Sequence, residues 1–323
     1  MQDRREPAPN AARTYAGVDV SKGRLDVHLH SIGGKLRLSN DAAGLRQLAR
    51  ALRGLGPARV VMEATGKFHR LAHRSLHGAG FAVSVVNPAR ARHYANAIGV
   101  LAKTDPVDAR VLALYGATLD PRADAPAPAN LAALQELAHA RQAAMAERTA
   151  LINRRGAAET AFLRAELARR VAAAETHVAR LDAEAARIVA ADKGLARRRE
   201  VLMSIPGVGP VTALAMLADL AEMGACANKK IALLAGLAPV NRDSGGKVGQ
   251  ARIAGGRAHV RKAVFMAALT AVRGKAGGFK AVYLRLTEKG KPHKVALVAV
   301  MRKIVELANT LITENRLWTP IRP

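Results

Sequence analysis

The chain has 323 residues, half of them hydrophobic but only 3% aromatic, so alanine, leucine and valine must fill its cores. Its 51 lysines and arginines against 25 acidic residues give a net charge of +26, an excess that points to a polyanionic partner, nucleic acid first. A single cysteine, Cys226, excludes an intrachain disulfide and a cysteine zinc cluster, and fits a reducing compartment.

The opening Met1-Gln-Asp-Arg-Arg-Glu-Pro lacks the apolar centre of a secretory signal, and Arg302-Lys303 interrupts the longest apolar stretch, Val295 to Ile312. A cytoplasmic protein that does not cross a membrane is expected. Residues 1–14 read as a disordered tail. Tyr15 to Ser21 is a strand whose apolar run is broken by Asp19. Arg24 to Ser31 alternates as a second strand, and Lys35 to Ser39 forms a third. Asn40-Asp41 caps a helix with Leu45, Leu48 and Leu52 on one face, ending at Gly54 to Pro57. Arg59 to Ala64 is a fourth strand, Gly66 to His77 a helix, and Phe81 to Val86 a fifth strand. A further helical region contains Lys103-Thr-Asp-Pro-Val-Asp-Ala-Arg110. The order βββαβαβα over residues 15–120 is that of a ribonuclease H-like mixed sheet flanked by helices.

A Pro/Ala linker occupies 121–129. Residues 130–200, without proline and with two glycines, read as two long helices of a coiled coil, antiparallel or intermolecular. Residues 201–323 form a mostly helical module with glycine-rich turns.

Four carboxylates converge in this order. Asp19 lies mid-strand, Glu63 ends the strand expected beside it, and Asp105 and Asp108 are three apart on one side of a helix starting near Pro106. Hard oxygen donors suit Mg²⁺, and two such ions about 4 Å apart serve phosphodiester chemistry. The alternative is structural: Asp105 as an N-cap, Asp108 as a first-turn residue, Asp19 as a paired core carboxylate. Ser244, in Pro239-Val-Asn-Arg-Asp-Ser-Gly-Gly-Lys247, suits a nucleophile between Arg242 and Lys247, or a plain glycine turn. Only Ser204 and Ser244 follow the linker, and Ser204 reads as structural. Ile205-Pro-Gly207-Val-Gly209-Pro has the form of a helix–hairpin–helix turn that binds a phosphate backbone, or of a simple helix connection. Arg252, Arg257, Arg261 and Lys262 make the opening of another helix strongly basic, against its dipole, which makes sense if an anion binds there. Lys289, Lys291, Lys294, Arg302 and Lys303 extend that surface, or form a solvated face. His69, His73 and His77 share a helical face read as partly exposed and basic, beside a nucleic-acid channel.

These motifs together resemble the insertion-sequence family "IS one-ten", the DEDD transposases. The likeness rests on Gly17-Val-Asp19-Val-Ser-Lys22 with Leu25-Asp-Val27, Glu63-Ala-Thr-Gly66, Asn87-Pro88 and Lys103-Thr-Asp105-Pro-Val-Asp108. It continues with Ile205-Pro-Gly-Val-Gly209, Gly236-Leu-Ala-Pro239, Asn241-Arg-Asp-Ser-Gly245, Gly255-Gly-Arg257, Arg261-Lys262 and Gly290-Lys291, spanning about residues 15–315. The resemblance implies a RuvC-like nuclease domain, a coiled coil and a C-terminal transposase domain. It implies Asp19, Glu63, Asp105 and Asp108 as Mg²⁺ ligands, and Ser244 as the nucleophile that forms a phosphoserine link to DNA. It further implies a homodimer or homotetramer guided by a bridge RNA on donor and target DNA. Two other readings are a catalytically inactive nucleic-acid-binding relative and an actin-like or sugar-kinase-type ATPase. The ATPase would need a second acidic phosphate loop, which the sequence lacks.

Overall fold

The structure is a computed structural model that describes residues 14–30, 32–55, 58–102, 104–241, 251–274 and 278–319. It divides into two compact units, one running through Ala127 and the other beginning at Pro128.

The first unit is built on five strands: β1 (Thr14–Val20), β2 (Arg24–Leu29), β3 (Gly34–Ser39), β4 (Ala58–Glu63) and β5 (Ala82–Val86). Their order in the sheet is β3-β2-β1-β4-β5. The first three form an antiparallel meander, while β4 and β5 run parallel to β1, so the mixed sheet read from the sequence is the one observed. Helices α1 (Ala42–Arg53), α2 (His69–Gly78), α3 (Pro88–Ala97) and α4 (Asp105–Leu119) complete the unit. Asp41 caps α1 as expected, its carboxylate accepting from Gly44 N at 2.8 Å.

The two-residue period of a strand sorts the side chains. Ala16, Val18, Val20, Val60 and Met62 share a core with Leu45, Leu48, Leu52 and Leu76 of α1 and α2. The alternate residues face α4, where Val61 packs with Leu112 and Tyr115. Two glycines set how near α4 comes. A Cβ on Gly17 of β1 would lie 2.0 Å from Ala109 O and 2.3 Å from Ala113 N, both α4 backbone. A Cβ on Gly116 of α4 would lie 2.8 Å from Tyr15 and Val61 side-chain atoms.

After α4 the chain runs along β5, the sheet's outer strand. Asp124 N donates to Val83 O at 2.7 Å, Val85 N donates to the Asp124 carboxylate at 3.1 Å, and Arg59 and Ser84 donate to Pro121 O. The first half of the Pro/Ala segment thus covers an edge that would otherwise present unpaired groups. His73 departs from the expected exposed face: it is buried, with Nε2 2.8 Å from Asp124 O. His69 has its pKa lowered, chiefly by burial.

The second unit contains α5 (Ala129–Ala157), α6 (Ala161–Ala191), α7 (Lys193–Ser204), α8 (Pro210–Asp219), α9 (Asn228–Leu234), β6 (Pro239–Val240), β7 (Arg252–Ile253), α10 (Ala258–Arg273), α11 (Phe279–Glu288) and α12 (His293–Thr313). The long pair α5 and α6 is an antiparallel hairpin, as its ion pairs show: Arg141 meets Asp182, and Arg148, further along α5, meets the earlier Glu175. Near its tip Leu151, Leu167 and Val171 form a small core. At its base Leu134, Ala138, Ala185 and Val189 join the large core of α7 to α12. Asp192 ends α6 and caps α7, accepting from Leu195 N at 2.9 Å. The apolar stretch Val295 to Ile312 becomes α12, whose Val300, Ile304, Val305, Ala308 and Leu311 are fully buried in that core. Among the described residues no helix is long and apolar enough to cross a membrane.

Candidate active site

Strand register brings the first two carboxylates together. Val18 pairs with Met62 across the parallel β1–β4 ladder, so Asp19 and Glu63 follow side by side, on the face that α4 covers. The first turn of α4 brings Asp105 and Asp108 to the same place, where they also complement the helix dipole. Thr104 occupies the N-cap, without a side-chain hydrogen bond, so Asp105 is not the cap. All four line one cavity of about 610 Å³, shared with Lys22, Thr65 and Arg92.

The electrostatics of this cavity are unbalanced. Burial first, and then the negative charges of Asp105, Asp108 and Glu63, together push the Asp19 carboxyl up from the usual carboxylate range to about 6. The arrangement is also open. Among the described residues, a group of three ligand atoms all within 4.8 Å occurs elsewhere, at His139, Asp219 and His259, and not within the quartet. Four hard oxygen donors around one accessible cavity fit a divalent cation such as Mg²⁺.

Arg24 is the residue that motif reading missed. It donates to Asp105 and, from Nε at 2.8 Å, to the buried Asp26, which Arg37 also holds at 2.9 Å. Asp26 is the β2 partner of Asp19 in the antiparallel ladder, and Arg24 lies on the same strand face by its two-residue spacing. That spacing was the available signal; the reach from β2 to α4 was not.

Asp19 has a measurable consequence for stability. Its pKa is raised, so between about pH 4 and pH 6 the folded state holds more protons than the unfolded one, and this group's contribution falls as pH rises through that window. Above it the penalty is complete; screening at this half-exposed site leaves it on the order of 1 kcal/mol. Metal-free Asp19→Asn should therefore show a higher Tm than the parent above about pH 6, the difference closing toward pH 4. Equal Tm differences across the range, read by calorimetry in a chelator, would contradict this.

In the second unit the basic motifs are partly spoken for. Arg257, the N-cap of α10, makes two 2.6 Å bonds to Glu222, so its anion is supplied by the chain itself. Arg261 donates to Gly255 O at 2.7 Å and closes the Gly236–Gly255 turn. Arg252 and Lys262 are exposed. Residues 205–209 connect α7 to α8. Gly207, at φ +88°, lies where a Cβ would meet Ala267 O at 2.4 Å, so it serves packing against α10. Gly209, the N-cap of α8, has open space around it. Ser204 is structural, donating to Val201 O and accepting from Trp318 N. Strands β6 and β7 pair and hold the two ends of the segment that carries Arg242, Ser244 and Lys247; these three lie outside the described residues.

The chain has known relatives. Residues 16–158 match the model of the DEDD transposases of IS110, described as "Transposase", and residues 199–284 match that of the "Transposase IS116/IS110/IS902 family". These assign the chain to the DNA transposases and recombinases, enzymes that move or rearrange DNA segments. It belongs to the IS110 family of insertion-element transposases. Over 319 residues, 94% of this chain and 97% of the relative, it is 27% identical to the pilin gene-inverting protein of Moraxella bovis, and equally to that of Moraxella lacunata. A shorter match, 32% identical over 128 residues, covers 39% of this chain and 32% of an uncharacterized 44.8 kDa protein of insertion element IS116 from Streptomyces clavuligerus.

Proposed function

We propose that the chain cuts and rejoins DNA strands through a covalent phosphoserine intermediate, on a ribonuclease H-like, RuvC-like domain whose Asp19, Glu63, Asp105 and Asp108 hold Mg²⁺. The observation that carries this reading is the meeting of the four carboxylates in one cavity, with the Asp19 carboxyl driven up by burial and by the other three. The quartet is too open for one ion to touch every member, which suits two ions sharing it. Bound there, Mg²⁺ supplies charge neutralisation of the phosphate and activation of oxygen. Asp19 and Glu63 give a rigid strand-borne half of the ligand set; Asp105 and Asp108 give a helix-borne half. Arg24, which pairs with Asp105, would have to give up that carboxylate to a cation held there.

Ser244 is the nucleophile in this reading. Its Oγ forms a new bond to phosphorus as a backbone P–O bond breaks and releases a strand-end hydroxyl; attack by a hydroxyl on the phosphoserine rejoins the strand and frees the serine. The bond energy is conserved, so no ATP is needed. Arg242, Lys247, Arg252 and Lys262 contact the phosphates, Gly209 with the α8 N-terminus receives another, and Gly207, Arg257 and Arg261 shape the surface that presents them. A homodimer or homotetramer guided by a structured bridge RNA would bring donor and target DNA together, and the inversion named for the Moraxella relatives is one outcome such chemistry permits.

The test is incubation with Mg²⁺, the element's end DNA and its flanking transcript. A DNA–protein adduct that disappears in Ser244→Ala is expected; one that survives moves the nucleophile elsewhere. Separately, Arg24→Ala should tighten Mg²⁺ binding about 2- to 5-fold, because a half-exposed cation no longer competes for Asp105. Unchanged or weaker affinity by titration calorimetry would remove Arg24 from the site.

A further inference from the structure

Among the described residues, a cluster of metal-ligating side chains lies in the second unit, on residues to which no role has been given above. His139 on α5, Asp219 at the end of α8 and His259 in the first turn of α10 place one ligand atom each within 4.8 Å of the others. His139 Nε2 is 3.1 Å from Asp219 Oδ1, and His259 Nδ1 is 2.7 Å from Asp219 Oδ2. We infer that these three residues form a Zn²⁺ site that ties the helical hairpin to the core beneath it.

The chemistry of the donor set favours this. Two imidazoles and one carboxylate suit a borderline divalent ion such as Zn²⁺ and not Mg²⁺, which prefers all-oxygen surroundings. Zinc bonds of about 2.0–2.2 Å in a tetrahedron separate ligand atoms by about 3.3–3.5 Å. The present separations are hydrogen-bonded ones, and the ion needs openings of about 0.2–0.4 Å between His139 and Asp219 and about 0.6–0.8 Å between His259 and Asp219. His139, with its side chain 56% exposed, can make the smaller movement; the larger one falls to the His259 ring, which is 22% exposed, while Asp219 at 10% stays in place. The solvent side of His139 leaves the fourth position to water. The nearby Arg257 does not oppose the ion, because Glu222 already neutralises that arginine.

The three ligands come from helices far apart in the chain, so the ion would act as a cross-link. It would fix the base of α5 against α8 and against α10, the helix that begins shortly after β7 and the segment bearing Ser244. Zinc would then stiffen the platform from which that segment is presented.

The test uses the full chain, purified with chelator and titrated with Co²⁺ and then Zn²⁺. One Co²⁺ per chain should give the visible absorption of a tetrahedral or five-coordinate site, displaced by Zn²⁺ and unaffected by Mg²⁺. His139→Gln, at an exposed position that leaves the fold intact, should weaken binding by about 100-fold or more, beyond the 10- to 100-fold cost of losing an outer partner. His139→Gln with His259→Gln should remove the spectrum. A chain carrying Asp19→Asn and Glu63→Gln should keep it, which separates this site from the acidic one. A featureless Co²⁺ spectrum, or equal uptake in the double histidine variant, overturns the assignment and leaves a hydrogen-bonded clasp.

Discussion

Asp19→Asn is expected to lower strand cleavage and transfer by on the order of 10³-fold, about 4 kcal/mol in the barrier, while DNA binding changes little. The substitution keeps size and removes one charge from the β1 position that Glu63 and α4 flank. In the same preparation the metal-free protein should become more stable, because the burial cost and the repulsion that raise the Asp19 carboxyl are gone. The pairing of lost activity with gained stability is the signature of a functional carboxylate cluster. A folding defect would move both downward, and a residue outside the chemistry would leave activity intact. Gel-resolved strand transfer and calorimetry on one sample decide among the three.

Gly17→Ala should be among the most disruptive single methyl groups in the first unit. Its Cβ would stand 2.0 Å from Ala109 O and 2.3 Å from Ala113 N, and helix backbone cannot step aside as a side-chain tip can. Either α4 lifts from the sheet or β1 bends, at a cost of about 1–3 kcal/mol or more. For a unit of this size that is a Tm loss of roughly 5–20 °C. Activity should fall further than stability alone explains, because α4 carries Asp105 and Asp108. Gly116→Ala is the comparison: its Cβ would meet side-chain atoms of Tyr15 and Val61 at 2.8 Å, which have some freedom to shift. Its cost should be distinctly smaller, and equal losses in thermal melts would refute the close-approach account.

The basic character of the chain divides more finely than its net charge suggests. Arg257 and Arg261 stood out in the sequence because cations open a helix there, yet Glu222 and the Gly255 carbonyl receive them. Arg252 and Lys262, a few residues away, stay exposed. Charge counting identifies a polyanion binder; it does not tell which arginine is held by its own chain.

What the sequence by itself determined follows from local periodicity. Alternation along β1 and β4 put Asp19 and Glu63 on the α4 face, the three-residue spacing put Asp105 and Asp108 in one helical turn, and the Asp41 cap started α1 where expected. The order of strands and helices was readable for the same reason: each depends on hydrogen bonds between near neighbours. Only the tertiary structure decided that Gly17 and Gly116 bring α4 close enough to complete the cavity, that Arg24 reaches Asp105, and that His139, Asp219 and His259 meet. Those contacts join residues 40 to 120 positions apart or rest on sub-ångström clearances. No period in the chain encodes them, because they arise only when the faces that the periods define are pressed together.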